Sequence, residues 1–594
     1  MAAEDGRRPE GDGIRQVERR DDVQVRLSDG RVFEAARGTS LVEIFRVAYP
    51  NGDDPPLAAI VDGRLRELAQ PVTQDVDAEP VLLSSSDGIR IYSRSLSFLL
   101  VVVTSKLFPT ARVRIDYSVP HGGLFCRVEG REPFASTELT QIRKRMEELV
   151  AADLPIERRR YTLAEAREAL ADRGDEGKAR LLGGRAEDHL HLYSLNGTSD
   201  YFFGYMVPST GLLKVFGVEP FSDGFVLRFP RREDPTKLLP ARRFTALREV
   251  FDEYGEWLEL LGVGDVECLN EAIRSGRIEQ IVLVAEALHE RRIAAIAERI
   301  AARHAEGVRL VLIAGPSASG KTTFSKRLAI QLLADGLQPF PIPIDDYFHP
   351  RAVLHARDGE TADYDALDAI DVARFRGDLE RLVGGERVSL PRYDFRSGDR
   401  ADGQTVRLTE DQILLVEGIH GLNPELLGED PARGCFRVFV SALTQLNLDI
   451  HNRVSTTDTR LIRRTVRDAV YRGYSAEETL ALWENVRTGE KRNIFPYQEQ
   501  ADAMFNSALG YELAVLKPRV EPLLLRALDS RYRIEAERLL ALLSWFDPYT
   551  TETIPDNSIL REFIGGSILR DYTPVPRTGA DTRSESHDDQ GGDA

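Results

Sequence analysis

Apolar and polar positions fall along this chain in blocks whose period changes at definite points. Val23-Gln-Val-Arg-Leu alternates as a half-buried strand does, Asp29-Gly30 is a hairpin signal, and Arg31-Val-Phe-Glu-Ala returns as a second strand. Thr39-Ser-Leu-Val-Glu-Ile-Phe opens a helix behind a hydroxyl cap, and Ala58-Ala-Ile-Val-Asp-Gly-Arg-Leu-Arg starts another hairpin. From about 235 to 306 the period is helical, with Phe244, Leu247, Val250 and Phe251 on one helix and Ile278 to Ala302 on a longer one. Val308-Arg-Leu-Val-Leu-Ile-Ala314 is then a nearly continuous apolar run, the form of a buried parallel strand. Phe324, Leu328 and Leu332 follow at helical spacing, with Gly336 placed to end that helix. Two further apolar runs, Phe340-Pro-Ile-Pro-Ile344 and Ile413-Leu-Leu-Val-Glu417, read as additional strands.

The residues between the 308–314 strand and its helix carry the first chemistry. Gly315-Pro-Ser-Ala-Ser-Gly-Lys-Thr322 fills every fixed position of G-x-x-x-x-G-K-[ST], in the strand-to-helix setting that this pattern requires. Such a loop wraps backbone N–H groups around a polyphosphate at the positive end of a helix. Gly315, Ser317, Ala318, Ser319, Gly320, Lys321, Thr322 and Thr323 are therefore the expected nucleotide contacts, with Lys321 on the β- and γ-phosphates and Thr322 on Mg²⁺. Asp345 and Asp346 close the next strand at the edge where open α/β sheets bind ligands, and phosphoryl transfer to an alcohol needs a proton acceptor there. Glu417 ends an apolar strand in the manner of a carboxylate that orients metal-bound water. In Thr457-Asp-Thr-Arg460-Leu-Ile-Arg463-Arg464-Thr-Val-Arg467, the spacing puts Arg460, Arg463, Arg464 and Arg467 on one helix face. Leu461, Ile462, Val466 and Val470 line the other. Beside a phosphate site, that row is expected to cover the developing charge as a lid.

Composition narrows the picture. The chain has 594 residues and a formal charge of -18, which argues against sequestering nucleic acid as its main work and leaves a local basic patch in the N-terminal region as the route for such a partner. Three scattered cysteines give neither a disulfide framework nor a metal knuckle, as expected in a reducing cytoplasm, and are read as packing residues. The longest apolar run, Leu96 to Val103, is far shorter than the ~18 residues a membrane span needs. Residues 1–21 and 573–594 hold little to bury and are expected to be tails. His189 and His191 are explained by alternation on a strand, and no zinc is expected there.

Residues 22–85 resemble a TGS domain, the ubiquitin-like module of threonyl-tRNA synthetases. Residues 86–232 are similar to the second additional, editing domain of those enzymes through Arg94-Ser-Leu-Ser-Phe98, Leu107-Phe-Pro109 and Asp200-Tyr-Phe-Phe-Gly204. The family's His-x-x-x-His and Cys-x-x-x-His positions are Arg94, Phe98, Phe202 and Met206 here, which implies a scaffold that has lost the editing reaction. Residues 233–304 are expected to be a helical connector and 305–572 a kinase domain, of which about 305 to 515 resembles the uridine kinase and phosphoribulokinase family of P-loop kinases. The matching stretches are the phosphate loop, Asp346-Tyr-Phe348, Tyr364-Asp365, Pro391-Arg-Tyr393-Asp-Phe395, Glu417-Gly418 and Asp458-Thr-Arg460-Leu-Ile-Arg-Arg464.

That resemblance implies a multidomain α+β and α/β protein whose C-terminal part has a parallel sheet flanked by helices. It further implies ATP and Mg²⁺ as co-substrate and cofactor, with a nucleoside 5′-hydroxyl as acceptor. Asp346 would be the base and Lys321 would neutralise charge. Asp365, Tyr393, Phe395 and Arg460 would hold the acceptor, Arg463, Arg464 and Arg467 the phosphates, and Asp502 would approach adenine. Thr322 and Glu417 would place the metal. The family's pyrimidine-site histidine is Gly398 here, which puts uridine preference in doubt. Two other readings stay open: a kinase for another alcohol such as a phosphorylated pentose, and an RNA- or ribosome-associated switch that senses nucleotide. A homo-oligomer is compatible with either.

Overall fold

The computed structural model describes residues 20–50, 54–184, 188–240, 244–358, 365–394, 397–428 and 434–574. Phe395, Tyr364 and most of both expected tails lie outside the described residues. The chain divides into two compact units. One comprises Met1–Arg112, Gly130–Arg160 and His191–Pro240, and the other Val113–Glu129, Tyr161–Leu190 and Ala241–Ala594. Segment 86–232 is thus shared between the units, and the helices of 244–305 belong to the same unit as the phosphate loop.

The first unit begins with the expected small sheet, in the order Val32–Ala36, Asp22–Leu27, Val76–Leu82, Pro56–Val61, Arg64–Glu67. Alternation puts Val23, Val25 and Leu27 on one face, where they pack against Leu41, Ile44 and Phe45 of helix Leu41–Ala48. Ser40 caps that helix in a capping box with Glu43. The long helix Ser86–Leu107 then carries Arg94 and Phe98. Phe98 meets Phe202 at a ring separation of 5.3 Å, Met206 is buried, and Arg94 donates to the Tyr205 carbonyl at 2.6 Å. Three of the four editing-type positions are therefore apolar packing, and the fourth is a backbone brace. His191 sits on strand His189–Leu195 with its Nδ1 3.1 Å from Arg158.

The second unit is built on a parallel sheet of five strands, ordered Gln338–Pro343, Gln412–Glu417, Leu310–Ala314, Cys435–Ser441, Ala503–Asn506. The phosphate-loop strand lies at the centre, buried on both faces, as a run of Leu, Val and Ile requires. Register pairs Ile313 with Glu417 and Glu417 with Pro343, so the chemistry-bearing ends of three strands finish at one edge. Helix Lys321–Ala334 follows the loop, and helix Ile278–Ala305 packs beside it through Arg327, which pairs with Glu286 and Glu290. Gly315 cannot be replaced at the strand end: a Cβ there would fall 1.9 Å from the Val440 carbonyl oxygen. Gly315→Ala is expected to cost about 1–3 kcal/mol of stability through forced separation of neighbouring strands, read as a lower thermal midpoint. An unchanged midpoint would contradict that packing.

Candidate active site

Two left-handed residues curl the loop: Ala318 at φ 57° and Gly320 at φ 83°. Alternation of hand turns successive N–H groups toward one concavity, a ready anion nest. On this loop the Ser319 hydroxyl is fully buried with no hydrogen-bond partner among the described residues, a polar atom suited to a phosphate oxygen. Lys321 is 9 % exposed and donates to the Pro316 carbonyl at 3.1 Å. Burial pushes its ammonium below the usual lysine value, while Glu417, Glu562 and Asp345 pull it back. Thr322 Oγ1 donates to Glu417 Oε2 at 3.3 Å. Burial raises the Glu417 carboxyl to about 7, with Lys321 opposing and Asp345 and Glu562 adding to the rise.

A threonine hydroxyl and a carboxylate beside an anion nest are oxygen donors that Mg²⁺ takes together with phosphate oxygens, so Thr322 and Glu417 fit that ion. Among the described residues, no group of three or more histidines, cysteines and carboxylates could hold a metal by itself.

The aspartate pair is split by local geometry. Strand Gln338–Pro343 runs into the 3₁₀ turn Ile344–Tyr347, where successive side chains diverge by about 120°. Asp345 turns toward the loop. It interacts with Lys321 and Arg472, and burial raises its carboxyl above the ordinary carboxylate value while Lys321 opposes. It also remains exposed to solvent. Asp346 turns the other way, accepting from the Tyr393 backbone N–H at 3.1 Å. Asp346, expected as the base facing the acceptor hydroxyl, thus lies against the Tyr393 backbone, and the strand-end aspartate that acts on Lys321 is Asp345.

Helix Thr456–Tyr471 carries the arginines, but two of the four are struts rather than a lid. Arg460, 2 % exposed, donates to the Ser317 carbonyl at 2.9 Å and pairs with Glu490, which also accepts from the Ser317 N–H at 2.9 Å. Arg463, 0 % exposed, pairs with Glu512 and donates to the Ser507 carbonyl at 2.8 Å. Ser507 Oγ in turn donates to the Ser319 carbonyl. Arg460 and Arg463 are thus corrected from ligand contacts to supports behind the loop, because buried guanidiniums require carboxylate partners. Arg464 donates to Ser317 Oγ at 2.8 Å, and Arg467 is close enough to Lys321 to disfavour its charge. Fully buried Asp468 gathers Arg464, Arg467 and Arg472 at 3.2, 3.0 and 3.3 Å. Arg472 was missed in the sequence, where only its i+4 spacing from Asp468 could have signalled it.

Of the expected acceptor residues, Asp365 lies beside helix Ala476–Asn493, its carbonyl accepting from Asn493 at 3.1 Å and its carboxylate acting on Arg464. Tyr393 is buried with its ring 5.6 Å from Phe348. Gly398 has φ 71°, and the Arg351 guanidinium lies where a side chain would project, 2.7 Å from the Cβ position. Asp502 precedes strand Ala503–Asn506, at its amino end, and accepts from the Arg437 N–H at 2.7 Å. Ligands gather at the carboxyl edge of such a sheet, so the adenine role of Asp502 is overturned.

A central parallel strand leading through a glycine-rich nest into a helix, with lysine, threonine and flanking strand-end carboxylates converging, defines a P-loop α/β fold. Residues 310–510 match the Phosphoribulokinase / Uridine kinase family, and this part of the chain is a domain of that family. The N-terminal region is similar to threonine–tRNA ligases. That of Paraburkholderia phymatum is 33% identical over 195 residues, covering 33% of this chain and 31% of the relative, and that of Paraburkholderia xenovorans is 32% identical over the same length and shares. The chain therefore spans about a third of the length of these curated relatives. Among solved structures, the D-glycerate 3-kinase from Cryptococcus neoformans aligns at 15% identity and a TM-score of 0.20, over 46% of this chain and 87% of that one. Among the described residues, no helix is long and apolar enough to cross a membrane.

The raised Glu417 carboxyl has a measurable sign. A carboxyl held above its ordinary value of 4.5 adds stability below that value and loses it as pH rises through about 7. Glu417→Gln is therefore expected to raise the thermal midpoint of the unliganded protein at about pH 8 more than at about pH 5. Equal shifts at both would contradict the buried-charge account.

Proposed function

We propose that the chain is an ATP- and Mg²⁺-dependent kinase that transfers the γ-phosphoryl group to the 5′-hydroxyl of a nucleoside. The observation that carries this reading is the convergence of Lys321 and Asp345 on one nest from the two strand ends that flank the Glu417 strand. Lys321 leaves the Pro316 carbonyl for the donor phosphates, and Arg464, Arg467 and Arg472 cover the charge that spreads over the transferring group. Mg²⁺, when bound by Thr322 and Glu417 with the phosphates, neutralises donor charge. The acceptor oxygen forms a bond to the γ-phosphorus, the bond to the ADP oxygen breaks, and the hydroxyl proton passes to the Asp345 carboxylate. Its raised proton affinity suits a group that must take a proton.

Asp365 and Tyr393 support an acceptor with hydroxyls and a flat ring. Arg351 at Gly398 replaces the neutral pyrimidine contact with a cation, which favours an acceptor other than plain uridine. Similarity to threonine–tRNA ligases supports a second reading, an RNA-associated nucleotide sensor. Salt-sensitive tRNA binding without any phosphorylated small product would favour it.

Mass spectrometry of products from ATP and a mixed nucleoside pool is expected to show a nucleoside monophosphate and stoichiometric ADP. Asp345→Asn should lower turnover by about 100-fold or more, and Asp346→Asn by about tenfold or less. Phosphorylation of ribulose 5-phosphate alone would replace the nucleoside by a sugar phosphate. An inactive Asp346→Asn beside an active Asp345→Asn would return the base to Asp346.

A further inference from the structure

The helix after the phosphate loop starts with a defect that another part of the chain fills. Gly320, at its N-cap, has no side chain to accept first-turn N–H groups. Glu562, from the short turn Arg561–Ile564, supplies that acceptor: its Oε2 takes the Thr323 N–H at 3.1 Å and the Thr323 hydroxyl at 2.9 Å. The surrounding segment makes three more contacts, one on the loop, one on the helix after it and one on the arginine helix. A Cβ on Gly320 would fall 2.6 Å from Ile559 Cγ2, Lys326 donates to the Leu569 and Arg570 carbonyls at 2.8 and 2.6 Å, and the Phe563 ring lies 5.0 Å from the Arg463 guanidinium.

Thr323 is one of the residues whose donors a nucleotide phosphate is expected to take. A backbone N–H and a hydroxyl each carry one proton, so the carboxylate and a phosphate oxygen compete for the same two donors. Charge points the same way. Glu417, Asp345 and Glu562 all act on Lys321, and a polyphosphate arriving beside three carboxylates is relieved when one of them leaves. Of the three, Glu562 alone belongs to no sheet strand or strand-end turn, and it is carried by a four-residue helical turn near the end of the described chain.

We propose that Glu562 is an intramolecular stand-in for a nucleotide phosphate, and that segment 554–570 is a latch which nucleotide binding releases. This rests on the phosphate-loop reading above. The latched form lowers apparent nucleotide affinity by the fraction of molecules in which Thr323 is free.

Hydrogen–deuterium exchange of the full chain, with and without a non-hydrolysable ATP analogue and Mg²⁺, tests the latch. Nucleotide is expected to slow exchange across 315–323 while speeding it across 554–570. Glu562→Ala should bind the analogue about fivefold or more tighter and melt at lower temperature without it. Glu562→Gln, which keeps the volume and removes the charge, should shift affinity in the same direction and serves if the alanine variant fails to fold. Slower or unchanged exchange across 554–570 on binding, or weaker binding by a folded Glu562 variant, would overturn the latch alone. No slowing across 315–323 in the unaltered chain would overturn the phosphate-loop reading and the latch with it.

Discussion

The Lys321 ammonium is the charge around which the second unit is arranged. It is buried beyond the end of the central strand, where desolvation lowers its proton affinity and Glu417, Glu562 and Asp345 oppose that loss. Those carboxylates are themselves costly: Glu417 is raised to about 7, and Asp345 is raised as well. Neither sign of charge is comfortable without the other, and a polyphosphate with its metal would satisfy both. A site with this frustration is built for a ligand rather than for stability.

The loop that holds Lys321 is not self-supporting. Its Ser317 is gripped from both sides by Arg460 and Glu490, and its Ser319 carbonyl by Ser507, which Arg463 fixes in turn. These ion pairs are buried, so losing one partner would leave an uncompensated charge, at a cost of about 3–5 kcal/mol. The arginine helix thus has two jobs along one face. Arg460 and Arg463 shape the loop, while Arg464, Arg467 and Arg472, collected by Asp468, lie by its mouth.

Much of this was legible in the residues. The period-two and apolar-run patterns marked Asp22–Leu27, Leu310–Ala314 and Gln412–Glu417 as strands, and the spacing from Gly315 to Thr322 located the nest before any fold was known. What stayed hidden depends on contacts distant in sequence. Spacing put Arg460 and Arg463 on one helix face, but nothing local announces Glu490 and Glu512, 30 and 49 residues away, which turn that face inward. Adjacent Asp345 and Asp346 look equivalent in the sequence, and only the 3₁₀ turn separates their directions. Asp502 carries no local sign that it precedes its strand rather than ends it.

The central claim is that Lys321 and Asp345 meet donor and acceptor at one point. It is tested most directly by a crystal structure with Mg²⁺, a non-hydrolysable ATP analogue and a nucleoside. The account predicts Lys321 transferred from the Pro316 carbonyl to a phosphate oxygen, with the Asp345 carboxylate within hydrogen-bond reach of the 5′-hydroxyl. Lys321 still on Pro316, with the acceptor hydroxyl beside Asp346, would contradict it.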